Sequence, residues 1–162
     1  MSKARPEELT FDEDDLAPVV ARMAARRAEG SGWLNLLPEV ADDATVPRSG
    51  GLFAIFTARG PAIPLATWAP APAAKADGRM EMGIEHGSGP QALARLAEQQ
   101  LALPGGWRKR SDHPKRGLVV DAPADADLDD ALWWLLAASH ALSMVPLTGD
   151  WLAQVFGSPA TA

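Results

Sequence analysis

Arg79-Met80-Glu81-Met82-Gly83-Ile84-Glu85-His86-Gly87-Ser88-Gly89-Pro90 carries two structural instructions in succession. Met80, Met82 and Ile84 alternate with Glu81 and Glu85, the two-residue period of a strand with one buried face. Gly87-Ser88-Gly89-Pro90 breaks that strand and opens a helix, with proline in the first turn, where its missing N–H costs nothing. Leu93, Leu96, Ala97 and Leu101 then recur on one helical face, and Pro104-Gly105-Gly106 ends the segment. A period of two that switches to 3.6 within one short stretch predicts an α+β chain.

Upstream, Leu16, Val19, Val20, Met23 and Ala24 predict a helix over 16–29. Arg26 and Arg27 sit at its negative end and Gly30 at its stop. Residues 31–50 read as irregular, anchored by Trp33, Leu34, Leu36 and Leu37. Leu52 to Thr57 is apolar on both faces, as a central strand would be, and Ala62 to Trp68 reads as its return, with Pro64 forcing an edge or bulge. Downstream, Trp107 to His113 and Leu118 to Asp121 predict two strands joined by a turn. Asp125 or Asp127 caps a last helix over about 128–143, and a short element follows at 150–156.

The expected order is therefore α-β-β-β-α-β-β-α plus a short C-terminal element: a mainly antiparallel, five-stranded sheet with helices packed on one face. The division is a flexible acidic segment at 1–15, a single α+β domain at 16–157 and a tail at 158–162. In element order alone this plan is similar to that of bacterial type III secretion chaperones and their sensory-regulator relatives. That resemblance implies a dimeric protein that binds other proteins without catalysis.

The 162-residue chain has no Cys and a net charge of −6. Disulfides, thiolate metal sites and a cysteine nucleophile are excluded, and the acidic balance argues against a nucleic-acid partner. The N-terminus lacks a basic region followed by an apolar run, and Ala131 to Leu147 is too short and too interrupted to span a bilayer. The expectation is a cytoplasmic protein with no membrane partner. Arg outnumbers Lys and Ala is abundant, a bias of GC-rich bacterial genomes.

Two segments are candidates for function. Trp107-Arg108-Lys109-Arg110-Ser111-Asp112-His113-Pro114-Lys115-Arg116-Gly117 packs five cations and an aromatic into eleven residues of an acidic protein. Trp107, Arg108, Arg110, Lys115 and Arg116 would make an anion platform, the guanidinium forks gripping phosphate and the indole stacking a ring. A solvated hairpin balanced by nearby acids is the plainer reading. Gly87, Ser88 and Gly89 would add backbone N–H groups to such a site. The turn is similar in position to the pyrophosphate loop of N-acetyltransferases, but Glu85 and His86 stand where those enzymes favour a basic residue or Gln. The second segment is the last helix, apolar on nearly every face, where Trp133, Leu136, Ala137 and Ala141 lie off the core stripe and Trp133, Trp134, Ala137 and His140 are candidate interface residues. Such a helix is buried on more than one side, which predicts a homodimer or a central helix.

The three histidines are isolated, no motif signals a cofactor or a metal, and Ser111-Asp112-His113 are consecutive, which forbids triad geometry. The sequence thus points to a non-catalytic protein-binding module of the chaperone or regulator kind. The alternative is a binder or enzyme for a phosphate-bearing small molecule, a nucleotide or acyl-CoA, using residues 107–117 and the Gly87–Pro90 turn.

Overall fold

The computed structural model describes residues 5–41 and 60–157. In chain order the elements are β1 (Glu7–Asp12), α1 (Ala17–Glu29), β2 (Trp33–Val40), β3 (Leu65–Ala69), β4 (Arg79–Glu85), α2 (Ala92–Glu98), β5 (Arg108–His113), β6 (Gly117–Pro123), α3 (Leu128–Leu142) and β7 (Leu147–Phe156). The strands form one antiparallel seven-stranded sheet, in the order β1-β7-β2-β3-β4-β6-β5.

The α+β class holds, but the five-stranded sheet and its element order do not. Three strands replace what reads as a lead-in, an irregular stretch and a short tail. β1 lies among acids, and only Leu9 and Phe11 face inward. In β2, Leu34 and Leu36 are buried, while Leu37 on the other face and Pro38 hide the alternation. Pro38 sits beyond the β3 pairing, beside a register irregularity, where a missing donor is tolerated. β7 alternates Trp151, Ala153 and Val155 inward after an interruption at Gly149-Asp150. The expected strand at Leu52–Thr57 lies outside the described residues. With the element order changed, the basis for the resemblance to secretion chaperones falls away.

The register aligns the buried side chains in rows across the sheet. One row runs Leu9, Ala153, Leu36, Ala66, Ile84, Leu118, and the next runs Val155, Leu34, Trp68, Met82, Val120. A one-residue slip in any strand would turn its members of these rows to the opposite face. All three helices cover this face. α3 lies over β3 and β4, with α1 on one flank and α2 on the other. Asp127 caps α3, its carboxylate accepting the Asp130 N–H at 2.9 Å. α1 ends at Gly30, whose φ of 65° is the left-handed stop its sequence predicts. Gly117 also needs its freedom: it has a φ of 88°, and a Cβ there would lie 2.3 Å from the Ile84 carbonyl oxygen.

The helix packing explains the all-round apolar character of residues 131–142. Ala131, Leu132, Trp134, Leu135, Leu136, Ala138 and Leu142 are all buried within the chain. Ala137 is half-buried, and His140 is exposed. At the far end Glu13 joins three elements. Its carboxylate accepts the Trp151 indole N–H at 2.8 Å and contacts His140 Nε2.

If β1 belongs to the cooperative fold, Phe11→Ala lowers stability by about 3 kcal/mol, the loss expected for a buried Phe. The neighbouring outward substitution Glu8→Ala changes it by less than about 0.5 kcal/mol. Urea unfolding of the two variants checks this.

Candidate functional site

The sequence candidates separate into three places. The first lies on the open face of the sheet. Asp121 is paired in register with Glu81 and Arg108, and its side chain is 2% exposed. Three guanidiniums reach it: Arg79 at 2.6 Å, Arg108 at 3.1 Å and Arg110 at 3.4 Å. Arg79 also donates to the Gly106 carbonyl. Burial alone would raise the Asp121 pKa, but hydrogen bonds from Arg108, Arg79 and Arg110 outweigh it and hold the carboxyl below its ordinary value. Arg108 and Arg110 therefore do converge, on a carboxylate of the chain itself. Lys115 and Arg116 do not join them. They sit in the exposed turn beyond His113, whose Nδ1 accepts their backbone N–H groups at 3.1 and 3.2 Å. The sequence missed Arg79 as a member of this cluster, since only strand register brings it there.

The second place is the Gly87–Pro90 turn. Arg95 Nη2 donates to Ser88 Oγ at 3.1 Å, and Ser88 Oγ lies 2.9 Å from His86 Nδ1. The chain of donors runs from guanidinium to hydroxyl to imidazole, which assigns the His86 proton to Nε2. His86 is fully buried, and its Nε2 has no hydrogen-bond partner among the described residues. Burial, reinforced by the charge of Arg95, lowers its pKa and keeps the ring neutral. The N–H groups of Ala92 and Leu93, which would cradle an anion at the start of α2, donate instead to Asp112 at 3.2 and 3.0 Å.

The third place is a cleft of about 480 Å³ between the α2–β5 connection, the β6–α3 connection and α3. Trp107 and Trp134 meet edge to face in it, with centroids 5.5 Å apart. Trp134 is buried, and its indole N–H donates to the Leu101 carbonyl at 3.1 Å. Trp133, its immediate neighbour in α3, leaves 58% of its surface in solvent. Asp125, Asp127 and Asp130 line the same cleft. Trp107 thus belongs with Trp133 and Trp134, and not with the cations that follow it in sequence. A second cleft, of about 560 Å³, is lined by Phe11, Leu37 and Trp151 among Asp12, Glu39 and Asp150. There the tryptophan is buried and already bonded to Glu13. Neither Ser88 nor His86 lines either cleft.

An aromatic face carries negative potential, and so do carboxylates. A cleft offering both attracts cations: ammonium or guanidinium groups above the indole, with charge-assisted hydrogen bonds to the acids.

Among the described residues no group of three or more His, Asp or Glu side chains is placed to hold a metal ion. No helix of these residues is long and apolar enough to cross a membrane. No family model, curated protein or solved structure matches the chain.

The arginine cluster has a pH signature. Asp121→Asn leaves three guanidiniums facing a neutral amide with one acceptor oxygen and a competing donor, and destabilises the protein by about 1–3 kcal/mol at pH 7. Because the folded-state pKa of Asp121 is depressed, its contribution is complete above the unfolded carboxylate value, near about 4. It is lost as pH falls through the folded value. Wild type and variant should therefore converge in melting temperature at low pH, as measured by calorimetry from pH 7 to 2.

Proposed function

We propose that this protein is a non-catalytic, cytosolic protein-binding module that works as a homodimer and recognises positively charged segments in its tryptophan cleft. The observation that carries the reading is Trp133. It is the most exposed large hydrophobic side chain among the described residues, on a helix whose other large apolar residues are buried, and covering it with a partner would remove that apolar surface from water. It stands beside two further tryptophans and three carboxylates, a composition suited to Lys and Arg side chains. Tryptophan is the residue type most enriched among those that dominate binding energy.

The alternative of a phosphate-bearing ligand has less support. Asp112 already occupies the N–H groups of Ala92 and Leu93, and Asp121 takes Arg108 and Arg110. An anion would have to displace two carboxylates of the chain itself.

Isothermal calorimetry with an Arg/Lys-rich decapeptide tests the reading. The account expects saturable binding that weakens as salt rises, none with an acidic peptide, and a loss of at least about 2 kcal/mol for Trp133→Ala. Binding that Trp133→Ala leaves unchanged contradicts it. Stabilisation of the wild type by inorganic phosphate or a nucleotide, lost in Arg108→Ala/Arg110→Ala, would favour the alternative.

A further inference from the structure

The acidic cleft has a charged complement on the same molecule. Among the described residues β5 is an edge strand, bonded to β6 on one side only. Its cations, Arg108, Lys109 and Arg110, fill the first half. Ser111, Asp112 and His113 fill the second. Lys115 and Arg116 project from the turn that follows. The side chains of Lys109, Lys115 and Arg116 are exposed, and none has an ion-pair partner among the described residues. Arg108 and Arg110 lean on Asp121 yet keep 62% and 59% of their side chains in solvent.

We propose that the cationic segment seated in the cleft is the Pro114–Arg116 turn of a second copy of this chain. The two copies form a two-fold dimer in which their β5 strands lie side by side and antiparallel. This rests on the reading of the cleft as a cation site and adds the identity of its occupant.

Three features support it. The first is placement. Trp107, which lines the cleft, immediately precedes β5, and the basic turn immediately follows it. Antiparallel strands bring the end of one beside the beginning of the other, so a single rotation carries each turn toward the opposite cleft. Both contacts form together, as a self-complementary surface requires.

The second is charge order. With the axis between positions 110 and 111, Lys109 stands opposite Asp112 of the second copy, and Arg108 opposite its His113. Lys109 and Asp112 share the helix-covered side, since their β6 neighbours Val120 and Leu118 are both buried there. Charges on an edge strand ordinarily keep strands apart. Here the strand is basic in one half and carries its acid in the other, so antiparallel self-association sets Lys109 against the charge of Asp112, whose carboxylate also accepts the Ala92 and Leu93 N–H groups. The third is the irregularity between Lys109 and Ser111. It falls at the axis, so the strands meet there through side chains and not through an unbroken backbone ladder.

Sedimentation velocity of the full chain tests the proposal. At micromolar concentration and low salt the wild type is expected to be a dimer, weakened at least tenfold by high salt. Lys115→Glu/Arg116→Glu reverses the turn, and Asp125→Lys/Asp130→Lys reverses the cleft while sparing the helix cap at Asp127. Each double variant alone is expected to dimerise at least tenfold more weakly. Mixed together they should form a heterodimer, because each turn then meets a cleft of opposite sign. Circular dichroism checks that both variants are folded.

A wild type that stays monomeric, a dimer that survives both reversals, or variants that fail to pair when mixed overturns the inference. Binding of the Arg/Lys-rich decapeptide by the Lys115→Glu/Arg116→Glu variant separates this from failure of the cleft reading. If the peptide binds but no dimer forms, the cleft takes a different protein. If Trp133→Ala changes neither, the cleft is not a binding site.

Discussion

The constraint on which the structure depends is that α3 is too apolar to lie on a surface. A helix whose residues 131–138 are almost all hydrophobic must be covered from several directions at once. The sheet supplies the floor, through Trp68, Met82 and Ile84. α1 and α2 supply the flanks, with Val19 and Met23 on one side and Ala92 and Leu96 on the other. A narrower sheet would not carry three helices abreast, and the outer strands widen it to do so. On the α1 side the sheet continues past β2, the strand that α1 contacts, through the long C-terminal strand to the N-terminal one.

That packing also decides what remains available. Trp134, on the same helix, turns inward and spends its one polar atom on the Leu101 carbonyl. Trp133 is left outside, at the start of the helix where the acids of the β6–α3 connection gather. Those acids serve folding first: Asp127 satisfies a free N–H of the helix, and negative charge is favourable at its positive end. The same placement gives the neighbouring indole an anionic surround. On the opposite face, Asp121 performs the reverse task, holding three guanidiniums that would otherwise repel one another.

Much of this was legible in the sequence. The helices followed from their stripes and stop signals, and the alternation of Met80, Met82 and Ile84 marked an interior strand of the sheet. The extra strands were hidden for physical reasons. An edge strand needs only two inward residues, and Leu9 and Phe11 are submerged among acids. In β2 the outward Leu37 erases the period, and in β7 a glycine interrupts it. The candidate site was half legible. Trp107, Trp133 and Trp134 each stood out, but sequence proximity paired Trp107 with Arg108. The turn into β5 sends the indole toward α3 and the guanidinium to the open face. Arg79 joins Asp121 across 42 residues, a contact fixed only by strand register.

The central claim is that Trp133 and its neighbouring carboxylates form a surface for cationic side chains. Nitrogen–proton correlation spectra of the six tryptophan indoles, recorded as an Arg/Lys-rich peptide is added, test it most directly. The account predicts that the Trp133 resonance moves furthest and Trp107 follows. Trp68 and Trp151, buried elsewhere in the core, should stay in place. A Trp133 resonance that does not move while Trp33 or Trp151 does would contradict the account and place the binding surface at the other end of the sheet.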